Sequence, residues 1–124
     1  MNDCIFCKII KGEIPSRKLY EDDQVVVIMD ANPQIDGHSL VIPKKHVTDI
    51  MDLSNDDLTY IFKIAKEMSN KLMKKLNSRG LTYCINYGDS QVVKHFHLHL
   101  LPDYSIKKKS DKTIEEVFDM LKED

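Results

Sequence analysis

Three histidines occupy alternate positions of one pentapeptide, His95–Phe96–His97–Leu98–His99, in a chain with five histidines among 124 residues. The intervening residues are apolar, so the pattern predicts a β-strand from His95 to Leu101 with imidazoles on one face and core residues on the other. Alternate residues of a strand lie about 6.5 Å apart, so a zinc ion with bonds of about 2 Å can be shared by neighbouring histidines but hardly by all three. We therefore expect the three histidines to have different roles.

Imidazole suits nucleophilic attack on phosphorus, because it is partly neutral at pH 7 and forms a labile phosphoryl- or nucleotidyl-imidazole. One histidine of the triad can be the nucleophile while its neighbours orient it, donate protons or bind another group. The pattern alone also allows a strand that lines a metal site, and a histidine-rich polar face with no chemistry.

A second motif, Cys4-x-x-Cys7, has the spacing with which two cysteines grip one zinc ion. Two thiolates make half of a tetrahedral site, and His46 and His95 are the candidates for the other half. A redox pair is the competing interpretation, although the motif does not follow a strand of a βαβ unit. A third interpretation is that Cys4 and Cys7 are inert buried thiols. An odd number of cysteines, three, argues against a disulfide framework.

The composition of the chain argues against some classes of binding partner. The length fits one domain, 1–124, and the net charge of −2 argues against a nucleic-acid or anionic-membrane binder. The only basic run, Lys107–Lys109, predicts a solvated loop. No apolar run approaches the ~20 residues that span a bilayer, and the polar start Met1–Asn2–Asp3 is unlike a signal peptide. We expect a cytoplasmic protein.

Local patterns predict five strands and two or three helices. A short helix is expected within Cys4–Ile10. A long helix should begin after an N-cap at Ser54 and stop at Asn77–Gly80, and a last one should begin at the capping box of Thr113 and Glu116. The strands are predicted at Leu19–Tyr20, Val25–Met29, Ser39–Ile42, Leu81–Asn86 and His95–Leu101. Short turns between most neighbours indicate an antiparallel α+β domain, with an apolar face or edge left for a partner chain.

Further blocks lie along nearly the whole chain: Cys4–Ile10, Glu13–Ile14–Pro15, Tyr20–Glu21–Asp22–Asp23, Asp30–Ala31–Asn32–Pro33–Gln34, Gly37–His38, Leu40–His46, and Leu100–Leu101–Pro102 after the triad. In this combination the chain resembles the histidine-triad (HIT) family, in its Hint-like, protein-kinase-C-interacting-protein-like branch. The resemblance implies a HIT-like α+β fold: a five-stranded antiparallel sheet with two main helices, paired with a second copy into a ten-stranded sheet across a homodimer.

By matching position, the resemblance implies that His97 is the nucleophile that takes the nucleoside monophosphate. His99 would contact the phosphate and help protonate the leaving group, Asp30 would accept the ribose hydroxyls, and Asn86 would position the phosphate region. The base pocket would consist of Ile5, Phe6, Ile9, Ile28 and Leu40. A structural zinc ion would be held by Cys4, Cys7, His46 and His95. We interpret His38 as a turn residue.

The chain departs from the family pattern in the loop before the triad, Asn86–Lys94, which is about two residues shorter than in relatives. Gln91 keeps its distance to His95, but Val92 stands where a hydroxyl is usual, and Ser90 can supply a displaced hydroxyl. Ser90 and Gln91 therefore complete the predicted substrate-binding set.

The resemblance implies a hydrolase that releases AMP or GMP from a phosphoramidate or acyl-nucleotidate through a nucleotidyl-His97 intermediate, with a small purine nucleotide as its partner. Two alternatives stay open. One is hydrolysis of dinucleoside polyphosphates, and the other is a zinc-stabilised nucleotide-binding or protein-interaction dimer with little catalysis.

Overall fold

The computed structural model describes residues 3–107 and 109–122. Its elements are helix α1 (Ile5–Ile10), strands β1 (Lys18–Glu21), β2 (Val25–Met29) and β3 (Ser39–Pro43), helix α2 (Asn55–Leu76), strands β4 (Leu81–Cys84) and β5 (Leu98–Pro102), and helix α3 (Ile114–Leu121). Two short 3-10 turns lie at Ile50–Asp52 and Gly88–Ser90. The five strands pair antiparallel in the order β1-β2-β3-β5-β4. The predicted α+β class with a five-stranded antiparallel sheet is confirmed.

The predictions for the N-terminal tripeptide and the basic run extend onto Met1, Asn2 and Lys108, which lie outside the described residues. Among the residues that are described, no helix combines the length and the apolar character needed to cross a bilayer.

Both faces of the central strands are covered, since β2 and β3 are buried at every position. On one face, Val27, Val41 and Leu98 pack in a cluster with buried residues of α2 and α3. On the other face, Ile28 and Leu40 pack against Phe6 and Ile9 of α1. The period of two along each strand assigns alternate residues to these two clusters. Helix α1 therefore covers the sheet face opposite to the two longer helices.

The termini of α2 and α3 follow the predicted signals. The Ser54 hydroxyl accepts the Asp57 amide at 3.1 Å, and Asn77 ends α2 in the left-handed region with φ of 51°. Thr113 and Glu116 exchange both hydrogen bonds of a capping box at the start of α3.

Strand β5 begins three residues later than predicted, at Leu98 instead of His95. The β3–β5 ladder runs from Ser39↔Leu100 to Val41↔Leu98. Continued pairing would bring Pro43, which has no amide hydrogen, opposite Phe96, and the Phe96 amide donates instead to the Val47 carbonyl at 2.7 Å. Residues 95–97 therefore leave the sheet. Strand β4 is likewise shorter than predicted and ends at Cys84.

The turn before β3 needs glycine at position 37. Gly37 has φ of +84°, and a Cβ there would lie 2.5 Å from the Leu76 side chain of α2. This close approach fixes the turn that leads through His38 into β3.

Candidate active site and metal centre

The predicted site residues from three strands meet on the sheet face that α1 covers. Leu40 of β3 pairs with His99 of β5 and with Ile28 of β2. His38 precedes Leu40 by two positions and so points to the same face. Asp30 follows β2 directly, and its amide donates to the His38 carbonyl at 3.0 Å.

His97 has a hydrogen bond that defines its reactive nitrogen. Its Nδ1 lies 2.8 Å from the backbone oxygen of His95, and a carbonyl oxygen can only accept, so the proton is assigned to Nδ1. The Nε2 atom then carries the free lone pair. Burial lowers the pKa of His97, although the bond to His95 opposes this effect. Phe6 packs edge-on against the ring at 5.0 Å between centroids.

His99 lies beside His97, with ring centroids 5.0 Å apart. Its Nδ1 is 2.9 Å from Nε2 of His38, and its Nε2 is 3.5 Å from the amide nitrogen of Asn86. Burial, followed by the neighbouring His97 and His38 rings, lowers the pKa of His99 to about 4. His99 is therefore neutral at physiological pH.

His38 is a turn residue through its backbone, since its amide donates to the Ile35 carbonyl at 3.1 Å and closes the turn around Asp36 and Gly37. The prediction missed its side chain, which is 1% exposed and bonded to His99. Its Nε2 also lies 3.4 Å from a carboxylate oxygen of Asp30, whose other oxygen accepts the Asn32 amide at 2.8 Å. The sequence did contain a signal for this role. Side chains two residues apart on a strand point to the same face, and His38 lies two residues before the buried Leu40.

Most of the residues predicted for the base pocket lie close together in space. Phe6, Ile9, Ile28 and Leu40 are buried in one cluster. Ile5 differs, since it is 44% exposed on the first turn of α1. Four of the five therefore form an apolar layer in which Phe6 contacts His97, whereas Ile5 lies outside that cluster.

The two predicted substrate-binding residues in the loop before the triad have different environments. Ser90 is exposed on the 3-10 turn. Gln91 is 4% exposed, and its side-chain amide donates to the carbonyls of Thr48 and Val93 at 2.6 and 2.9 Å. Gln91 braces the loop through these bonds, while Ser90 remains open to solvent.

The four predicted metal ligands converge. The Sγ atoms of Cys4 and Cys7 and the Nδ1 atoms of His46 and His95 lie within 4.8 Å of one another. The sulfur–nitrogen distances are 3.4 Å for Cys4–His95, 3.2 Å for Cys7–His46 and 3.6 Å for Cys7–His95. Tetrahedral zinc with ordinary bond lengths requires about 3.6 Å between a sulfur and a nitrogen ligand. The cluster has the dimensions of a Cys2His2 zinc site.

The position of the His95 proton is also compatible with a bound cation. His95 Nε2 lies 2.8 Å from the Pro43 carbonyl, which assigns the proton to Nε2 and leaves the Nδ1 lone pair facing the sulfurs. Burial, with the neighbouring Cys4, raises the pKa of the Cys7 thiol. A divalent ion would offset that effect, because zinc binds the thiolate form.

A family model for the HIT domain matches residues 11–106. An uncharacterised HIT-like protein of Mycoplasma genitalium is 37% identical over 132 residues, covering 98% of this chain and 94% of that protein. An adenylylsulfatase of Arabidopsis thaliana is 40% identical over 103 residues, covering 82% of this chain and 52% of that protein. The chain belongs to the HIT domain family.

Among solved structures, a zinc-bound histidine triad family protein from Mycobacterium smegmatis superposes with a TM-score of 0.88 at 30% identity. The match covers 98% of this chain and 91% of that one. The sheet and helices described above are thus the fold of this family.

Proposed function

We propose that this protein, a member of the Hint-like branch, hydrolyses small purine nucleotides through a covalent nucleotidyl-His97 intermediate. Its products would be AMP or GMP, released from a phosphoramidate or acyl-nucleotidate. The observation that carries the proposal is the free Nε2 lone pair of His97, which the bond from Nδ1 to the His95 carbonyl leaves beside His99. The name of the Arabidopsis relative, an adenylylsulfatase, supports cleavage of a nucleotidyl linkage.

The proposed reaction has two displacements at the α-phosphorus. First, His97 Nε2 forms a bond to phosphorus while the bond to the leaving group breaks, and the leaving group departs with that electron pair and a proton that His99 helps to deliver from solvent. In the second displacement, the oxygen of a water molecule forms a bond to phosphorus as the bond to His97 breaks. The proton that this water loses replaces the one taken up by the leaving group. Hydrogen-bond donors at His99 and Asn86 would stabilise the charge on the phosphoryl oxygens.

Substrate binding is proposed to use the groups around this centre. The carboxylate of Asp30, with a side chain 22% exposed, would accept the ribose hydroxyls. The apolar layer of Phe6, Ile9, Ile28 and Leu40, together with the exposed Ile5, would hold the base. Ser90 would reach the phosphate region from the loop, and Gln91 would hold that loop in place.

We propose that zinc is held by Cys4, Cys7, His46 and His95 in a structural role. Four protein ligands leave no open position for substrate, so the ion would join α1 to the segment before β5. The zinc-bound relative from Mycobacterium smegmatis supports this assignment.

A homodimer with a ten-stranded sheet is the proposed assembly, with β4 as the joining edge. The edge strands of the described sheet are β1 and β4. Strand β1 carries charged Lys18 and Glu21 and an irregular register, which protect an edge from pairing. Strand β4 has no charged residue and exposes Tyr83 by 44%, next to Phe62 of α2.

The test is turnover of an adenosine phosphoramidate by wild-type protein and by His97→Ala, with intact-mass detection of the intermediate. We expect wild-type turnover and an added nucleoside monophosphate mass, and we expect both to vanish in His97→Ala, while zinc content and thermal stability stay unchanged. Met51→Ala, at a residue 71% exposed, is the control. Unchanged turnover in His97→Ala would contradict the proposal.

A substrate panel separates the alternatives. Adenylyl sulfate, an acyl-adenylate and a diadenosine polyphosphate are assayed beside the phosphoramidate. Faster cleavage of the dinucleotide would favour a dinucleoside polyphosphate hydrolase. Tight AMP binding without turnover on any member would favour a nucleotide-binding dimer.

A further inference from the structure

A chain of hydrogen bonds connects the backbone to His99 through His38. The Gln34 amide donates to His38 Nδ1 at 3.1 Å, and His38 Nε2 lies 2.9 Å from His99 Nδ1. His38 is 1% exposed. The family resemblance left His38 without a role, and the proposed mechanism does not use it.

The first bond in this chain determines the direction of the next. A backbone N–H can only donate, so His38 Nδ1 must accept and neutral His38 carries its proton on Nε2. That proton points to His99 Nδ1, which must therefore accept as well. Neutral His99 is left with its own proton on Nε2, the nitrogen that faces Asn86.

The outer end of the chain meets the side-chain amide of Asn86, whose nitrogen lies 3.5 Å from His99 Nε2. That nitrogen can only donate, so it cannot bond to Nε2 while Nε2 carries the proton. The oxygen and nitrogen of an amide are assigned from their partners, so we expect Asn86 to turn its oxygen towards Nε2–H, or to aim its N–H at the same bound acceptor as Nε2–H. A phosphoryl oxygen between these two groups would receive hydrogen bonds from both.

We propose that His38 is a positioning residue that fixes the tautomer of His99, so that His99 presents Nε2–H to the phosphoryl group as a neutral hydrogen-bond donor. The role in catalysis rests on the function proposed above, whereas the tautomer itself does not. A neutral imidazole can serve as an electrophilic donor in this way.

The pKa values agree with a chain of neutral rings. Burial lowers the pKa of His38, against the opposing charge of Asp30, and burial is also the main cause of the lowered pKa of His99. The Asp30 oxygen lies 3.4 Å from His38 Nε2, farther than His99 Nδ1 at 2.9 Å, so the shorter hydrogen bond goes to His99.

A metal ion at the same three residues is the competing explanation, because Asp30, His38 and His99 also place ligand atoms within 4.8 Å of one another. Coordination through His38 Nε2 would require the proton on Nδ1, where it would face the Gln34 N–H. At His95, by contrast, the Pro43 carbonyl accepts the outer N–H and leaves the inner lone pair free for a metal. The two clusters therefore differ: one suits zinc and the other suits a hydrogen-bond chain.

The tautomer is measured by 15N NMR of the zinc-loaded protein, labelled at histidine, with assignment through single histidine variants. We expect His99 to show a protonated Nε2 and an unprotonated Nδ1 at neutral pH, with and without AMP. The variant His38→Leu replaces the donor with an apolar side chain. In this variant we expect part of the His99 population to carry its proton on Nδ1. His99 protonated on Nδ1 in wild-type protein would overturn the proposal.

Kinetics on the same variants test the consequence. We expect His38→Leu to lower kcat by about 10- to 100-fold with a smaller change in KM, since an oriented donor acts in the transition state. His38→Gln, whose amide N–H can reach the position of Nε2, should recover most of the loss. Equal defects in Leu and Gln variants, or a defect confined to KM, would contradict the positioning role.

The outcomes separate this inference from the proposed function. If wild-type protein turns over no nucleotide, the function fails while the NMR measurement still decides the tautomer. If turnover is normal and His38→Leu leaves kcat unchanged, only the positioning role fails. A second equivalent of zinc that binds wild-type protein but not His38→Gln would favour the metal site and overturn the hydrogen-bond chain.

Discussion

The backbone oxygen of His95 accepts the Nδ1 proton of His97 at 2.8 Å, while the His95 ring points the other way into the Cys4 and Cys7 sulfurs. One residue thus belongs to the metal cluster through its side chain and to the nucleophile through its backbone. The Pro43 carbonyl fixes the outer nitrogen of the same ring. Movement of His95 would therefore displace the hydrogen bond that orients His97.

Removal of one zinc thiolate should weaken the whole fold. In Cys7→Ser we expect loss of about one zinc per chain and of several kcal/mol in the free energy of unfolding, because metal binding is coupled to folding. Metal analysis and urea denaturation measure the two effects. Cys84→Ser, at a half-buried cysteine of β4, is the matched control and should keep both. Zinc-free wild-type protein of full stability would contradict the structural role.

Substitution of Asp30 should affect ribonucleotides selectively. In Asp30→Asn we expect AMP to bind about tenfold more weakly, since a charge-assisted bond to a ribose hydroxyl is lost, and 2′-deoxy-AMP to change less. Calorimetric titration measures both affinities. Asp89→Asn, at an exposed residue, is the control. An equal loss for the two nucleotides would argue against a contact with the 2′-hydroxyl.

A charge on β4 should prevent the proposed dimer. Tyr83→Lys places a cation on the edge that would join the two sheets, and we expect the mass in solution to halve. Size-exclusion chromatography with light scattering measures that mass. Tyr87→Lys, 51% exposed but beyond the strand, should leave the assembly unchanged. A monomeric wild-type protein would contradict the dimer.

Acid should destabilise the protein partly through Asp22. Burial of this carboxylate disfavours its charge, but hydrogen bonds from Tyr60, the Val25 and Gln24 amides and Tyr20 outweigh that effect and lower the pKa to about 2. The folded pKa is below the unfolded value, so this stabilisation is present above pH of about 4 and is lost as the pH falls through about 2.

In Asp22→Asn we therefore expect a loss of about 1–2 kcal/mol at pH 7, after allowance for solvent screening, that shrinks towards pH 2. Urea denaturation across that range measures it. The neighbouring exposed Asp23 provides the control in Asp23→Asn, which should change little. A pH-independent difference for Asp22→Asn would refute the electrostatic explanation.

Several features of this protein were determined by the sequence alone. The Ser54 cap, the capping box of Thr113 and Glu116, and the continuous apolar run Val25–Met29 act within a few residues of one another, so local physics specified where these elements form. The convergence of Cys4, Cys7, His46 and His95 was also predictable, because a zinc ion at a Cys-x-x-Cys pair would need two further ligands and the chain has few candidates.

Other features were decided by the tertiary structure. Strand β5 starts at Leu98 because Pro43, on a strand more than fifty residues earlier, cannot donate to the ladder. His38 lies near a glycine turn in the sequence, and only the pairing of β3 with β5 brings it to His99. The tautomers of His38, His97 and His99 depend on carbonyl and amide groups that the fold supplies. A linear pattern shows which imidazoles are present, but their protons are assigned by neighbours in space.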